Sequence, residues 1–289
     1  MKYQIKGATK GVALIGKIIP VDSETGEVVS GVYVTTQEER DRRRRYFENK
    51  EKWKVELSGF FFYLHKTSKG FTELKPANAA RLMYLATYLS YHDNYLYSTQ
   101  KTKMTKEMLP VILGLKKDAV YSFLHDTLSS GYLKEDGGYL RLSQAYFQRG
   151  EVIKSPNIRI TKVFIDTVRD LYHKTPPSSH SCLGYIFMLI PLINVQWNII
   201  CRNQFESEIE NVEPLSIGEF CDLIGYDRSH ASRLIKKFYS ITFDVKGKKQ
   251  RFCSFVYEKN KTDMKIFCNP NIFYSGKNKE KLDGMKLFF

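Results

Sequence analysis

The sequence predicts an α+β chain that carries one helical unit twice, and three observations support this. A 20-residue pattern recurs without gaps, an apolar helical stretch precedes each occurrence, and a strand–turn–strand follows each. The pattern reads TKEMLPVILGLKKDAVYSFL at 105–124 and SIGEFCDLIGYDRSHASRLI at 216–235. Thr105 faces Ser216, Leu109 faces Phe220, Ile112 faces Leu223, Leu113 faces Ile224, Gly114 faces Gly225 and Phe123 faces Leu234. In each copy a hydroxyl residue suited to an N-cap opens a short helix. An apolar face closes it, and a glycine free to adopt positive φ turns the chain into a second amphipathic helix. That plan is a helix-turn-helix written twice.

Along the chain, 1–35 reads as short strands, with β-branched runs at 12–19 and 28–34 around a turn at 22–27. A charged helix follows over 36–53. FFFYLHKTSKGFTEL at 60–74 has the pattern of a hairpin turning at Ser68-Lys69-Gly70. From Pro76 the spacing is helical, with Leu82, Leu85, Ala86 and Leu89 on one face. The helices preceding the two units are placed at 79–91 and 184–200. The strand pairs after them are 132–134 with 139–142, and 252–257 with 264–268. Helix, helix-turn-helix and hairpin in that order is the winged-helix arrangement. The expected fold is therefore tandem winged helix-turn-helix domains, at 59–155 and 156–276. An N-terminal β segment with the charged, basic helix (1–58) precedes them, and a basic tail (277–289) follows.

Composition narrows the class of partner. Lysine and arginine number 45 against 31 acids, a formal charge of +14, which implies attraction to a polyanion, either nucleic acid or an anionic membrane surface. An apolar fraction of 43% supports packed cores and excludes global disorder. Five cysteines, with no CxxC spacing, argue against a disulfide framework or structural zinc and for a reducing interior. The first residues lack the apolar core of a secretion signal. The apolar stretch 183–201 is interrupted by Pro191, Asn194, Gln196 and Asn198, whereas a bilayer span wants about 20 mostly apolar residues. It reads as a buried core helix. The expectation is a soluble, cytoplasmic protein without a membrane partner.

The second helix of a helix-turn-helix enters the major groove and reads base edges from its N-terminal residues. In the second copy that helix follows Asp227 and offers Arg228, Ser229, His230, Ser232, Arg233, Lys236 and Lys237. Arginine can grip guanine through two hydrogen bonds, and the lysines suit phosphates. The next turn, VKGKKQRF, adds Lys246, Lys248, Lys249 and Arg251. The first copy offers Lys116, Lys117, Tyr121, Ser122 and His125, with Lys101, Lys103 and Lys106 before them. Its second helix opens on lysine where a capping side chain is expected, which makes it the poorer reader. Winged helices also serve as docking and dimerisation modules, so the fold alone does not settle the role.

Other signals weigh less. The run Arg42-Arg43-Arg44-Arg45 has Glu38, Glu39 and Asp41 four residues before three of its members, which is ordinary helix-surface pairing worth about 0.2–0.5 kcal/mol each. Gly11 to Lys17 fits the first part of a phosphate-binding loop, but Ile18 stands where Ser or Thr must meet magnesium. His173, His180 and Cys182 lie near Pro176-Pro177 at a spacing that suits no common metal site, and a flexible loop accounts for them. No catalytic constellation stands out, so neither an enzyme nor a cofactor or metal is expected.

The order of features over 1–152 resembles the RepL-type plasmid replication proteins, small winged-helix initiators. The residues that carry it are Glu24-Thr25-Gly26-Glu27, Gly70-Phe71-Thr72, the helix-turn-helix around Gly114, and YLRLSQAYFQRG at 139–150; the second half closes on a similar phrase at 266–276. Helix-turn-helix proteins of phages and mobile elements are similar too. The resemblance implies replication initiation on double-stranded DNA, with transcription regulation and a protein-docking scaffold as alternatives. Host replication or transcription proteins and a homodimer partner complete the expected contacts. Two reading heads on one chain are expected in neighbouring major grooves or on direct repeats, the second contact being effectively intramolecular.

Overall fold

The computed structural model describes residues 59–65, 71, 73–91, 93–150, 158–245, 247–257 and 264–276, with Asp41, Arg44, Gly284, Met285 and Phe289. The chain divides into Met1–Glu56 and Leu57–Phe289, and the second unit holds both repeats. The strands expected over 1–35 lie outside the described residues. So does the helix expected over 36–53, except for Asp41 and Arg44, which are helical.

The first half of the larger unit runs β1 (Phe60–His65), α1 (Pro76–Ala86), α2 (Leu109–Leu113), α3 (Lys117–Ser129), β2 (Leu133–Asp136), β3 (Tyr139–Leu142) and β4 (Phe147–Gln148). The second half runs β5 (Arg159–Phe164), α4 (Ile165–Lys174), α5 (His180–Met188), α6 (Ile217–Leu223), α7 (Ala231–Ser240) and β6 (Thr242–Val245). It continues through β7 (Lys248–Arg251), β8 (Cys253–Tyr257), β9 (Met264–Cys268) and β10 (Phe273–Tyr274). The class is α+β, with seven α-helices and antiparallel sheets among the described residues.

The halves are joined by an antiparallel pairing of equivalent strands. β1 and β5 lie side by side with Phe62 opposite Lys162, and the sheet order is β10-β5-β1-β4. Each half supplies its own edge strand: Leu64 N–H donates to Tyr146 O, and Phe164 N–H donates to Ile272 O. Such a pairing generates an approximate twofold axis between β1 and β5. Alternation puts Phe61, Tyr63, Thr161 and Val163 on the buried face.

Backbone hydrogen bonds repeat across that axis. Leu96 N–H donates to Leu140 O as Ile200 N–H does to Ile266 O; Met104 N–H donates to Leu96 O as Leu215 N–H does to Ile200 O. Each half pivots on an asparagine with positive φ, Asn94 at 57° and Asn198 at 52°, a conformation asparagine tolerates better than most residues. The Asn94 side-chain amide donates to the Leu142 and Phe147 carbonyls, and that of Asn198 to the Cys268 and Phe273 carbonyls.

The equivalent helices α1 and α5 pack across the axis. Gly184 of α5 sits on the first turn of α1, where a Cβ would run into the Pro76 carbonyl. One core spans both halves, from Phe61 and Leu82 through Leu183 and Ile186 to Phe238 and Ile266.

Several sequence expectations are corrected. The strand at 60–65 does not fold back on 71–74; its partners are β4 and β5, because its aromatic face completes a sheet shared by both halves. The helices placed at 79–91 and 184–200 are shorter. α1 starts at Pro76 and ends at Ala86, and Leu89 then bridges to Leu96. α5 ends at Met188; Pro191 lies in a 3-10 turn, and Ile193 bridges to Ile200. The polar breaks explain this, since buried Asn194 accepts from the N–H groups of Gln196 and Trp197 and holds a turn. Among the described residues no helix is long and apolar enough to cross a membrane. His173 lies in the last turn of α4, while His180 and Cys182 lie in the first turn of α5, so they belong to helices and not to a loop.

Candidate nucleic-acid interface

The second copy of the repeat is the better capped. Ser216 opens α6 with a capping box: its hydroxyl accepts from Glu219 N–H at 3.2 Å, and the Glu219 carboxylate accepts from Ser216 N–H at 2.9 Å. Arg202 first, then Ser216, holds the Glu219 carboxyl down at about 2. Gly225 turns the chain at φ 66°. Asp227 then caps the next element, accepting from Ser229 N–H at 2.8 Å, and the Ser229 side chain first, then that N–H, lower its pKa. That element begins as a 3-10 turn, Arg228–His230, before α7.

α7 buries Leu234 and Phe238, and the Phe238 ring meets Phe220 edge-on at 5.8 Å. Ser229, His230, Ser232, Arg233, Lys236 and Lys237 are left exposed. The last three stand at i, i+3 and i+4, on one face. The turn expected at 246–251 belongs to a hairpin the sequence reading missed. β6 and β7 pair from Thr242–Arg251 to Val245–Lys248, with Gly247 at φ 77° before β7. The X-Gly pair between strand-like runs was its signal. The hairpin is tied to α4, because Lys174 pairs with Asp170 and Asp244, and Asp244 N–H donates to Asp170 at 2.8 Å. It exposes Lys248, Lys249 and Arg251, while Lys246 lies outside the described residues.

Among the described residues, no carboxylate lies within ion-pair distance of Arg233, Lys236, Lys237, Lys248, Lys249 or Arg251, although the Arg251 guanidinium lies 5.5 Å from the centre of the Tyr239 ring. Over 227–240 there are four Lys and Arg against one acid, and over 242–251 again four against one.

Arg228 is different. Its Nε donates to Asp222 Oδ1 at 2.6 Å and its Nη2 to Asp222 Oδ2, so one edge of the guanidinium is taken by the same chain. This ion pair on the surface of α6 was not anticipated. A carboxylate late in the first helix and an arginine opening the second, six residues apart across a glycine turn, could have signalled it.

The first copy has the same backbone with other chemistry. Gly114 turns at φ 62°, and Lys116 supplies no side-chain cap to α3. Thr105 makes no capping bond either, and the helix it was expected to open begins as a 3-10 turn, Lys106–Met108. Lys116, Lys117, Tyr121 and His125 are exposed, whereas half-buried Ser122 accepts from Lys75 Nζ at 3.3 Å. Carboxylates and rings of the same half engage several nearby cations. Lys106 pairs with Glu135 at 2.5 Å, Arg141 pairs with Asp136 at 3.1 Å, and Lys103 sits 3.7 Å above the Tyr95 ring. Over 116–129 and over 133–142 there are two cations and two acids each. No family model, curated protein or solved structure matches the chain.

Proposed function

We propose that the chain is a sequence-specific double-stranded DNA-binding protein of a phage or plasmid, built as tandem winged helix-turn-helix units. The observation that supports it is two groups of exposed cations with no carboxylate partner among the described residues, Arg233, Lys236 and Lys237 on α7 and Lys248, Lys249 and Arg251 on β7. Like charges three and four residues apart destabilise a helix by about 0.2–0.5 kcal/mol per pair. A fold that leaves them uncompensated here, while pairing Lys106, Arg141 and Lys174 elsewhere, keeps a surface suited to phosphates. In this reading α7 enters the major groove and β6–β7 lies along the backbone beside it.

The approximate twofold favours one arrangement of half-sites. Heads related by a dyad meet sequences that run in opposite directions, so inverted half-sites are proposed in place of direct repeats. The local surplus of cations over 227–251 makes the second head the stronger contact, and the first head, whose stretches 116–129 and 133–142 are balanced, adds a weaker one. Replication initiation is the proposed role, resting on the resemblance to RepL-type proteins. A gel-shift titration with random duplex at low salt tests the binding: complexes should form and weaken steeply as salt rises. Absence of any complex would overturn DNA binding, and protection of promoter elements in place of sites beside the chain's own gene would overturn initiation.

A further inference from the structure

The geometry points to Asp222 as a positioning residue that fixes Arg228 to read one guanine, an inference that rests on the proposed DNA binding by α7. A guanidinium has two forked edges. Asp222 holds the Nε–Nη2 edge, with Nε at 2.6 Å from Oδ1 and Nη2 on Oδ2. The end-on edge, formed by Nη1 and the second Nη2 proton, stays free. That edge can still donate two hydrogen bonds to O6 and N7 of one guanine.

Three further observations support a built arrangement over a chance surface pair. Gly218 lies one turn before Asp222, and a Cβ there would stand 3.7 Å from Cζ, Nε and Nη1 of Arg228, so the guanidinium lies along α6 between positions 218 and 222. The side chain is still 64% exposed, which leaves the outer fork accessible. The equivalent positions of the first copy are Val111 and Lys117, so the pair belongs only to the second copy. A carboxylate beside a DNA surface also repels phosphate, a cost that a second use of Asp222 would offset. Orienting a long, flexible arginine is such a use, since it removes rotamer freedom before binding.

The test is selection of preferred duplexes from a randomised pool with the wild-type chain, Asp222→Ala, Arg228→Ala and the double variant, followed by affinity measurements on single-base variants of the selected site. Asp222→Ala is expected to lose about tenfold or more of the discrimination for guanine at one base pair, with other positions and the salt slope unchanged. Arg228→Ala should lose the same preference, and the double variant should be no worse than Arg228→Ala. Unchanged discrimination at every position in Asp222→Ala would overturn the inference, and so would uniformly tighter binding with the same preferences. If the wild-type chain binds duplex but selects no sequence, positioning fails while phosphate binding stands. If it binds no duplex, the proposed function itself fails. Circular dichroism and melting confirm that each variant folds, as expected for two exposed residues.

Discussion

Arg233, Lys236 and Lys237 share a face of α7, and the proposed DNA binding gives them different work by position. Arg233 stands near the start of the helix, where base edges are reached, and the two lysines follow one turn later. Arg233→Ala is expected to cost about 1–3 kcal/mol on a preferred duplex and to relax sequence preference. Replacing Lys248 and Lys249 should weaken all duplexes alike and shrink the salt slope by about 0.9 for each phosphate left without its lysine. Affinity measured against salt on preferred and random duplexes separates these effects. His65 illustrates how a single group sets pH dependence. It lies at the end of β1 with Nε2 3.2 Å from Thr161 Oγ1, and burial first, then Arg159, push its pKa from 6.5 to about 3. The native ring stays neutral where the unfolded chain takes up a proton. Stability therefore falls as pH drops from 6.5 toward 3, by up to about 1.4 kcal/mol per pH unit for one such site. His65→Gln should flatten that slope in denaturant titrations at pH 7 and 4.5, and an identical slope would assign the pH dependence to other groups such as His180.

At the level of elements, the contact between α1 and α5 depends on the missing side chain at position 184. Gly184→Ala must push α5 off the Pro76 carbonyl or displace the first turn of α1, so a loss of about 1–3 kcal/mol or more is expected, read as a lower melting temperature. An equal change at Gly218, where a Cβ meets only ordinary contacts, should leave stability almost unchanged. The same elements explain what could be read in advance. The α+β class, the pairs of helices turning at Gly114 and Gly225, and the hairpins at 133–142 and 253–268 were legible, because glycine turns, apolar spacing and β-branched alternation are local signals. The central sheet was not. β1 meets β5 about a hundred residues away, and nothing near Phe60 specifies that partner. The ends of α1 and α5 were also hidden, since apolar residues continue past Ala86 and Met188 into bridged, buried loops where periodicity no longer distinguishes helix from strand. Within the candidate site, the exposed cations of α7 followed directly from its amphipathic pattern. The tie between Arg228 and Asp222 did not, because it depends on how two helices meet.

For the whole molecule, the twofold and the charge imbalance act together. In the proposed reading the chain carries two heads of the same backbone plan, and the stretches 227–240 and 242–251 each hold four cations to one acid, where 116–129 and 133–142 hold two of each. If the heads grip DNA together, the strong head anchors the complex and raises the local concentration of the weak one, so a modest second contact still adds affinity. That second contact is available only if its half-site has the orientation the dyad demands. A footprint on a selected duplex should therefore cover two inverted half-sites, centred about one helical turn (~10 bp) or a multiple of it apart, with one chain bound. Scrambling the half-site under the second half should abolish specific binding, whereas scrambling the other should leave a weaker specific complex. Reversing the weaker half-site, to make a direct repeat with the same composition, should weaken binding as much as scrambling it. Full affinity on the direct repeat would show that the first half does not read DNA through the dyad-related helix α3.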